Sequence, residues 1–324
     1  MTRSRRALIA ALAAGGLVAA CPRAQERFPA HPVRILVPFS VGLGPDVLMR
    51  VLAERLSRLW GQPVIIENRP GASGTVAMRE GRAAPRDGRT LVLGEAGSLA
   101  VMPLLQKVGY DPLTDFEPLT TVFRATFALV TGAASRFPDM ATLIAQARTG
   151  AGRVSYASLG NGHASQVAVE MLAERVGATF HHVPFRDGGQ LLSALAQGEV
   201  DFTAISMNSA ASFVKAGRLR PLAVAASRRL ADWPEVPTLA QAGGPAVEMT
   251  PWAALMLPAG APVGVADTLR HAIAEAQADP ATKARIESMG FDVVRSTPAQ
   301  LIDLIRAETE LARRLIRLGR IATS

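Results

Sequence analysis

Few residues in this chain are of types that make or break bonds, and their spacing favours holding a molecule over transforming one. Of the five histidines, His181 and His182 are neighbours; on a strand they point to opposite faces and cannot share a metal. His163 stands in a glycine-rich turn, "SLGNGH", where its ring would meet either a ligand or water. The single cysteine, Cys21, excludes an intrachain disulfide and a zinc-cysteine centre. Neither Gly-x-Ser-x-Gly nor His-Glu-x-x-His occurs, and the acidic residues are scattered without an evident pair. No catalytic residue, no metal site and no cofactor is expected.

What remains is binding by backbone. In "VRILVPFSVGLGPDVLMRVLAERLSRLWG", residues 33–61, an apolar run passes through two glycines and Pro-Asp into a helical pattern. Unpaired N–H groups in the first helical turn, with the positive end of the dipole, favour a carboxylate or phosphate. A dinucleotide fingerprint fits the spacing Gly42-Leu43-Gly44, with Glu67 at the end of the second strand. Two residues oppose it: Val47 fills the third glycine position, and Pro45 removes an N–H where a pyrophosphate would need one. A P-loop is excluded, since neither turn ends in Gly-Lys-Ser/Thr. The arrangement recurs in "RVSYASLGNGHASQVAVEMLAERVG", again strand, glycine turn and helix. Two such sockets facing one cleft would suit a ligand with polar groups at both ends; the plainer alternative is that the glycines only make tight turns.

These turns need strands and helices to aim them. Strands are predicted at Val33–Val37, Val64–Ile66, Thr90–Leu93, Val154–Tyr156, Phe180–Val183, Val200–Ile205, Leu222–Ala225 and Ala253–Leu257. Helices are expected between them, and again at Gly264–Ala278 and Pro298–Leu318. Near-continuous apolar strands separated by helices point to parallel sheets covered on both faces. In the first helix Leu48, Val51, Leu52, Leu56 and Leu59 make one face, with Asp46 as expected N-cap and Gly61 as stop. In the second, Val167, Met171 and Leu172 face inward and Gly177 closes the helix. The segment between the copies, "GYDPLTDFEPLTTVFRATFALVTG", has the turn-rich and then apolar character of a crossover. The chain therefore reads as two α/β lobes with one glycine turn each and a binding site between them.

Composition sets the compartment. The 324 residues are 49% hydrophobic and 19% charged, a soluble globular balance with a length for about two domains. A formal charge of +8 with only 5% aromatic residues and no basic run with interleaved aromatics argues against nucleic acid. At the N-terminus Arg3, Arg5 and Arg6 precede an uncharged apolar stretch from Ala7 to Ala20, too short to span a bilayer comfortably. Residues 1–20 are read as an export signal and the protein as periplasmic. "SRRALIA" resembles a twin-arginine signal. Val18-Ala19-Ala20-Cys21 resembles a lipobox, which would anchor the chain through Cys21; Pro22 after the cysteine is atypical, and the alternative is a small-residue cleavage site.

From about Phe28 to Leu318 the sequence resembles a known family. "HPVRILVPFSVGLGPDVLMRVLAERLSRLWGQPVIIENRPGASG" is similar to the opening of the tripartite tricarboxylate transporter substrate-binding proteins, the Bug-type periplasmic receptors. "YDPLTDFEPLT", "VSYASLGNGHASQ", "HHVPFRDGG", "GEVDF", "VKAGRLRPLAV", "WPEVPTLAQAG" and "LMLPAGAP" follow in the family's order. The resemblance implies a type II two-lobed periplasmic binding protein fold, with two doubly wound sheets joined by crossover strands. Lobe one would be residues 28–126 plus 251–324 and lobe two residues 127–250, with a hinge of two crossover strands. It implies a monomeric receptor that closes on a small carboxylate and passes it to integral membrane subunits. The ligand-holding positions would be Ser40, Gly42, Leu43, Gly44 and Asp46 in one turn and Ser158, Gly160, Asn161, Gly162 and His163 in the other. Phe39, Ser98 and Asp187 complete the candidate site.

Four departures from the family pattern bear on the ligand. Leu43 replaces a glycine and Pro45 a threonine; Glu95 stands where threonine is usual; Ile205 takes a position often held by aspartate. Glu95, if it faces inward, would repel a second carboxylate, which favours an apolar, monocarboxylic or amine-bearing ligand over citrate. Two other functions compete with transport: partnership with a membrane sensor kinase, and an exported carboxylate-processing enzyme.

Overall fold

The computed structural model describes residues 28–150 and 153–322; the expected export signal and Cys21 lie outside the described residues. The chain opens with β1 (Val33–Val37), α1 (Gly44–Trp60), β2 (Val64–Asn68), α2 (Thr75–Arg82), β3 (Thr90–Glu95), α3 (Met102–Leu105) and β4 (Phe116–Ala125). It then runs through β5 (Phe127–Gly132), α4 (Met140–Thr149), β6 (Ser155–Ser158), α5 (Ala164–Val176), β7 (His181–Pro184), α6 (Gly188–Gln197), β8 (Phe202–Ser206), α7 (Met207–Lys215) and β9 (Leu219–Val224). It returns with β10 (Trp252–Pro258), α8 (Val265–Ala278), α9 (Pro280–Glu287), β11 (Phe291–Val293) and α10 (Pro298–Arg317).

Two sheets result, ordered β11-β4-β10-β3-β1-β2 and β7-β6-β8-β5-β9. Side-chain alternation divides each between two cores. Val33, Ile35 and Val37 pack with Leu48, Leu52 and Leu56 of α1 on one face, while Leu36 and Val92 pack with Leu301 and Ile305 of α10 on the other. In the second sheet Leu129 and Phe202 face one core, Ala128 and Ala157 the other. Both faces are covered, which is why these strands read as near-continuous apolar runs.

The sheets are mixed, not wholly parallel. β1, β2 and β3 are parallel, and so are β6, β7 and β8. By contrast β10 runs against β3 and β4, and β5 against β8 and β9. The reason is topological. β4 and β9 leave their sheets at the carboxyl ends, where the cleft lies; β5 and β10 enter the other sheet from that side and must run away from it. The crossings are pinned to each other, with Ala125 N–H donating to Pro251 O at 2.9 Å and Phe127 N–H to Met249 O at 3.0 Å. Both glycine turns follow carboxyl ends of parallel strands, so both face the cleft, the usual ligand position in open α/β sheets.

Candidate functional site

The first turn is built around Asp46. This residue is not the N-cap: α1 begins at Gly44, Leu43 is the cap without a side-chain bond, and Pro45 occupies the first turn. Asp46 is 1% exposed. Its Oδ2 accepts from the Gly42 amide at 2.8 Å, and its Oδ1 from Asn68 Nδ2 at 2.8 Å. Arg50 pairs with it one turn on, at 3.0 Å. Burial pushes the Asp46 carboxyl up, but bonds from Arg50, Asn68 and Gly42 outweigh this and hold it below its ordinary value. Gly42 has φ of 84°, the left-handed region. The amide that sequence reasoning offered to a ligand is thus spent on Asp46.

The second turn repeats the device with neutral groups. Gly162 N–H donates to Gln166 Oε1 at 2.7 Å, and Gly160 N–H to Ser158 Oγ at 3.1 Å. The Ser158 hydroxyl also lies 2.6 Å from His182 Nε2. His163 caps α5, its Nδ1 accepting from Ser165 N–H at 3.1 Å. In the neutral ring the proton then sits on Nε2, which faces the cleft. Burial pushes His163 down to about 4, so it stays neutral at physiological pH.

A third helix start joins them. Ser206 caps α7 through its bond from Ser209 N–H. Leu43 and Pro45 at the start of α1, His163 and Ala164 of α5, and Ser206 and Ser209 of α7 thus converge on the cleft. Ser209, Pro45, His163 and Ala164 all line one inner chamber of about 60 Å³. Phe39, Phe123, Phe127, Trp252 and Phe291 supply its aromatic wall; Leu43, Leu159 and Ile205 add aliphatic surface. It adjoins an outer chamber of about 820 Å³ lined by Ser40, Ser73, Gln106, Gly160, Asn161 and Arg186. Phe39, Leu43, Glu95, Leu159 and His163 border both.

Glu95 does face inward. It closes β3, is 4% exposed, and brings Oε2 to 3.8 Å from His163 Nε2 across the cleft. Burial pushes its carboxyl up to about 8, the Gly97 amide opposing only in part. At neutral pH the group is protonated, so the charge repulsion expected of it is absent; it presents a neutral carboxyl instead.

The remaining candidates divide. Phe39, Leu43, Glu95, His163 and Ile205 meet at the inner chamber, and Ser40, Gly160 and Asn161 line the outer one. Gly42 and Gly44 line a separate pocket beside α7. Ser98, 0% exposed, bonds its hydroxyl to the backbone N–H and O of Glu95, while Ser158 and Gly162 are spent within their own turn. Asp187 caps α6 through the Gly189 and Gln190 amides, and the Ser40 hydroxyl reaches its carboxylate across the cleft. The lobes also touch where Ser73 Oγ donates to Asn161 O at 2.6 Å. A Cβ on Gly188 would stand 2.9 Å from Leu43 Cδ2. Sequence reasoning missed Phe123, Phe127, Trp252, Phe291, Ser206 and Ser209. The aromatic flanks of the crossover, "VFRATF" and "TPWAA", were the available signal.

Two α/β sheets bridged by crossover strands, with helix starts converging on a cleft between them, define a two-lobed solute receptor of the periplasmic type. The sequence profile of the tripartite tricarboxylate transporter family receptor matches residues 48–319, and the chain belongs to that family. The UPF0065 protein in the tcbD-tcbE intergenic region of Pseudomonas sp. (strain P51) is 32% identical over 96% of this chain and 94% of its own length. Protein BugT of Bordetella pertussis (strain Tohama I) is 31% identical over 96% and 95%. Among solved structures, R. palustris Rpa4515 with adipate superposes with a TM-score of 0.85 at 28% identity, covering 91% of this chain and 99% of that one. MatC from Rhodopseudomonas palustris with bound malate gives 0.81 at 27%, covering 89% and 100%. The protein is therefore an extracytoplasmic solute receptor of a carboxylate transport family and not an enzyme.

Proposed function

We propose that this receptor captures a small carboxylate in the cleft between its lobes and delivers it to integral membrane subunits of a tripartite tricarboxylate transporter. The observation that carries the reading is the convergence of the α1, α5 and α7 N-termini on one chamber. Their partial positive charges suit an anion, and a water-poor site strengthens each contact. Adipate and malate in the related structures support the same ligand class. Phe39, Leu43, Glu95, His163 and Ile205 form the inner contact surface, and Ser40, Gly160 and Asn161 its mouth. Residues 28–126 with 251–324 move as one lobe and 127–250 as the other, bending at the paired crossovers. Periplasmic residence follows the family, with residues 1–20 as the export signal and Cys21 as a candidate lipid anchor.

A thermal-shift screen of mono-, di- and tricarboxylates, aromatic acids and amino acids tests the reading. A true ligand at about a hundred times its Kd adds about 2.7 kcal/mol of stability. If no carboxylate raises Tm while another class of compound does, carboxylate capture is wrong. Ligand-dependent co-purification with the membrane subunits tests delivery.

A further inference from the structure

The inner chamber is poorly suited to a guest with two negative charges. Among the described residues no lysine or arginine lines it, and its wall is mostly aromatic and aliphatic. Its ionisable groups are Glu95 from one lobe and His163 from the other. Among the described residues the groups that act on the Glu95 carboxyl include no lysine or arginine. The turn before α5 presents neutral His163 with its proton on Nε2. The segment after α3 presents the Tyr110 hydroxyl, already donated to Ser98 O at 2.6 Å. β10 presents Ala253, the register partner of Glu95. Within its own segment only the Gly97 amide bonds the carboxyl. Oε2 lies 3.8 Å from His163 Nε2, beyond hydrogen-bond reach. A buried carboxyl on the chamber wall whose one bond is from the Gly97 amide has an oxygen left for a guest to bond.

We propose that the ligand is a monocarboxylic acid with an apolar body, its carboxylate sharing one proton with the Glu95 carboxyl and accepting from His163 Nε2–H, its body lying on the aromatic wall. The inference rests on the receptor reading and narrows it. Two carboxyls brought together in a dry site hold one proton between them, since both cannot ionise. Burial keeps that proton on Glu95 at neutral pH, so the ligand arrives as an anion and the complex carries a single charge. Above the pKa of Glu95 the complex must take one proton from solvent. A dicarboxylate held wholly within the inner chamber would add a second charge among rings, without a cation there to meet it, at a high desolvation cost. Leu43 and Ile205 close the chamber further around an apolar body.

Matched pairs of equal chain length separate the alternatives. Titration calorimetry with butyrate against succinate, and hexanoate against adipate, is run from pH about 6 to about 9 in two buffers of different ionisation enthalpy. The monocarboxylate of each pair is expected to bind at least about tenfold tighter. Its affinity should fall by up to about tenfold per unit as pH rises towards and past about 8, with proton uptake growing towards one. Glu95→Gln should abolish that uptake; the wild-type buffer comparison stands alone if the variant does not fold. Adipate binding as tightly as hexanoate, or monocarboxylate binding without proton uptake at pH about 9, overturns the inference and leaves the receptor reading standing. Failure of all four acids, with stabilisation by a different class of compound, overturns both.

Discussion

The two glycine turns look alike in sequence and share one device, yet they are built from different chemistry. In each, a side chain in the first helical turn reaches back four residues to take a glycine amide: Asp46 to Gly42 and Gln166 to Gly162. The first turn uses a charge, balanced by Arg50 and Asn68. The second uses a neutral amide and neutral histidines. A loop that must present free amides at its helix start needs its other amides held, and both turns meet that need locally. The difference is what each can lose: the charged hub is strong while intact and costly when broken.

Truncation of the two hubs is the strongest test of that difference. Asp46→Ala removes a buried carboxylate that accepts from the Gly42 amide, Asn68 and Arg50 together, and should cost about 3 kcal/mol in denaturant unfolding. Gln166→Ala removes two neutral bonds, one with the Gly162 amide and one with His182, and should cost about 1–2 kcal/mol. Equal losses would show that charge contributes nothing to the first turn. A smaller loss for Asp46 would mean that its network is dispensable.

Contact between the turns comes next in size. Gly188 faces Leu43 so closely that any added side chain meets it. Gly188→Val should weaken ligand binding by about tenfold, or about 1.4 kcal/mol, because the clash acts only where the lobes meet. Leu43→Ala in the same chain should restore most of the loss, and a double-mutant cycle measures the coupling. Without coupling, the approach of the first turn to α6 plays no part in the bound state.

Much of the fold was legible because burial on both sheet faces writes itself as apolar runs. β1 matches its predicted ends, and Gly61 and Gly177 stop their helices in the left-handed conformation. β4 and β5 were read only as a crossover. β4 contains Pro118, which lies where the pairing with β10 shifts register, and a proline in a strand disguises it. The site was half legible. Glycine spacing located both turns, but hydrogen bonds decide which amides remain free. The signal existed: Gly42 to Asp46 and Gly162 to Gln166 have the same spacing, which places a side-chain acceptor over the glycine. The aromatic wall was not legible, because Phe123, Phe127, Trp252 and Phe291 come from β4, β5, β10 and β11 and meet only in the folded chain.

The lobes should also differ in their response to pH. Glu95 is pushed up to about 8 by burial. Its protonated form is favoured by folding, so its contribution is full below its unfolded pKa of about 4.5 and is lost as pH rises towards 8. His163 and His182 are both pushed down to about 4, chiefly by burial. Their neutral forms are favoured, so their contribution is full above about 6.5 and is lost as pH falls through 4. Glu95→Gln should therefore flatten the alkaline decline in Tm and leave the acid decline. Loss of the acid limb in that variant would mean that the two halves of the cleft do not titrate separately.

The smallest effects come from two buried serines, one in each half. Ser98 and Ser158 were both expected to touch the ligand, and both are fully buried. Ser98 ties the backbone at Glu95, whereas Ser158 holds the Gly160 amide and meets His182. Ser98→Ala should cost about 1 kcal/mol of stability, the worth of an ordinary net hydrogen bond, with ligand Kd unchanged. Ser158→Ala should cost slightly more, because the second turn loses a bond and His182 loses a partner. If Ser98→Ala weakened binding at unchanged stability, its hydroxyl would belong to the ligand and not to the backbone of β3. The inward placement of Glu95 would then need another support.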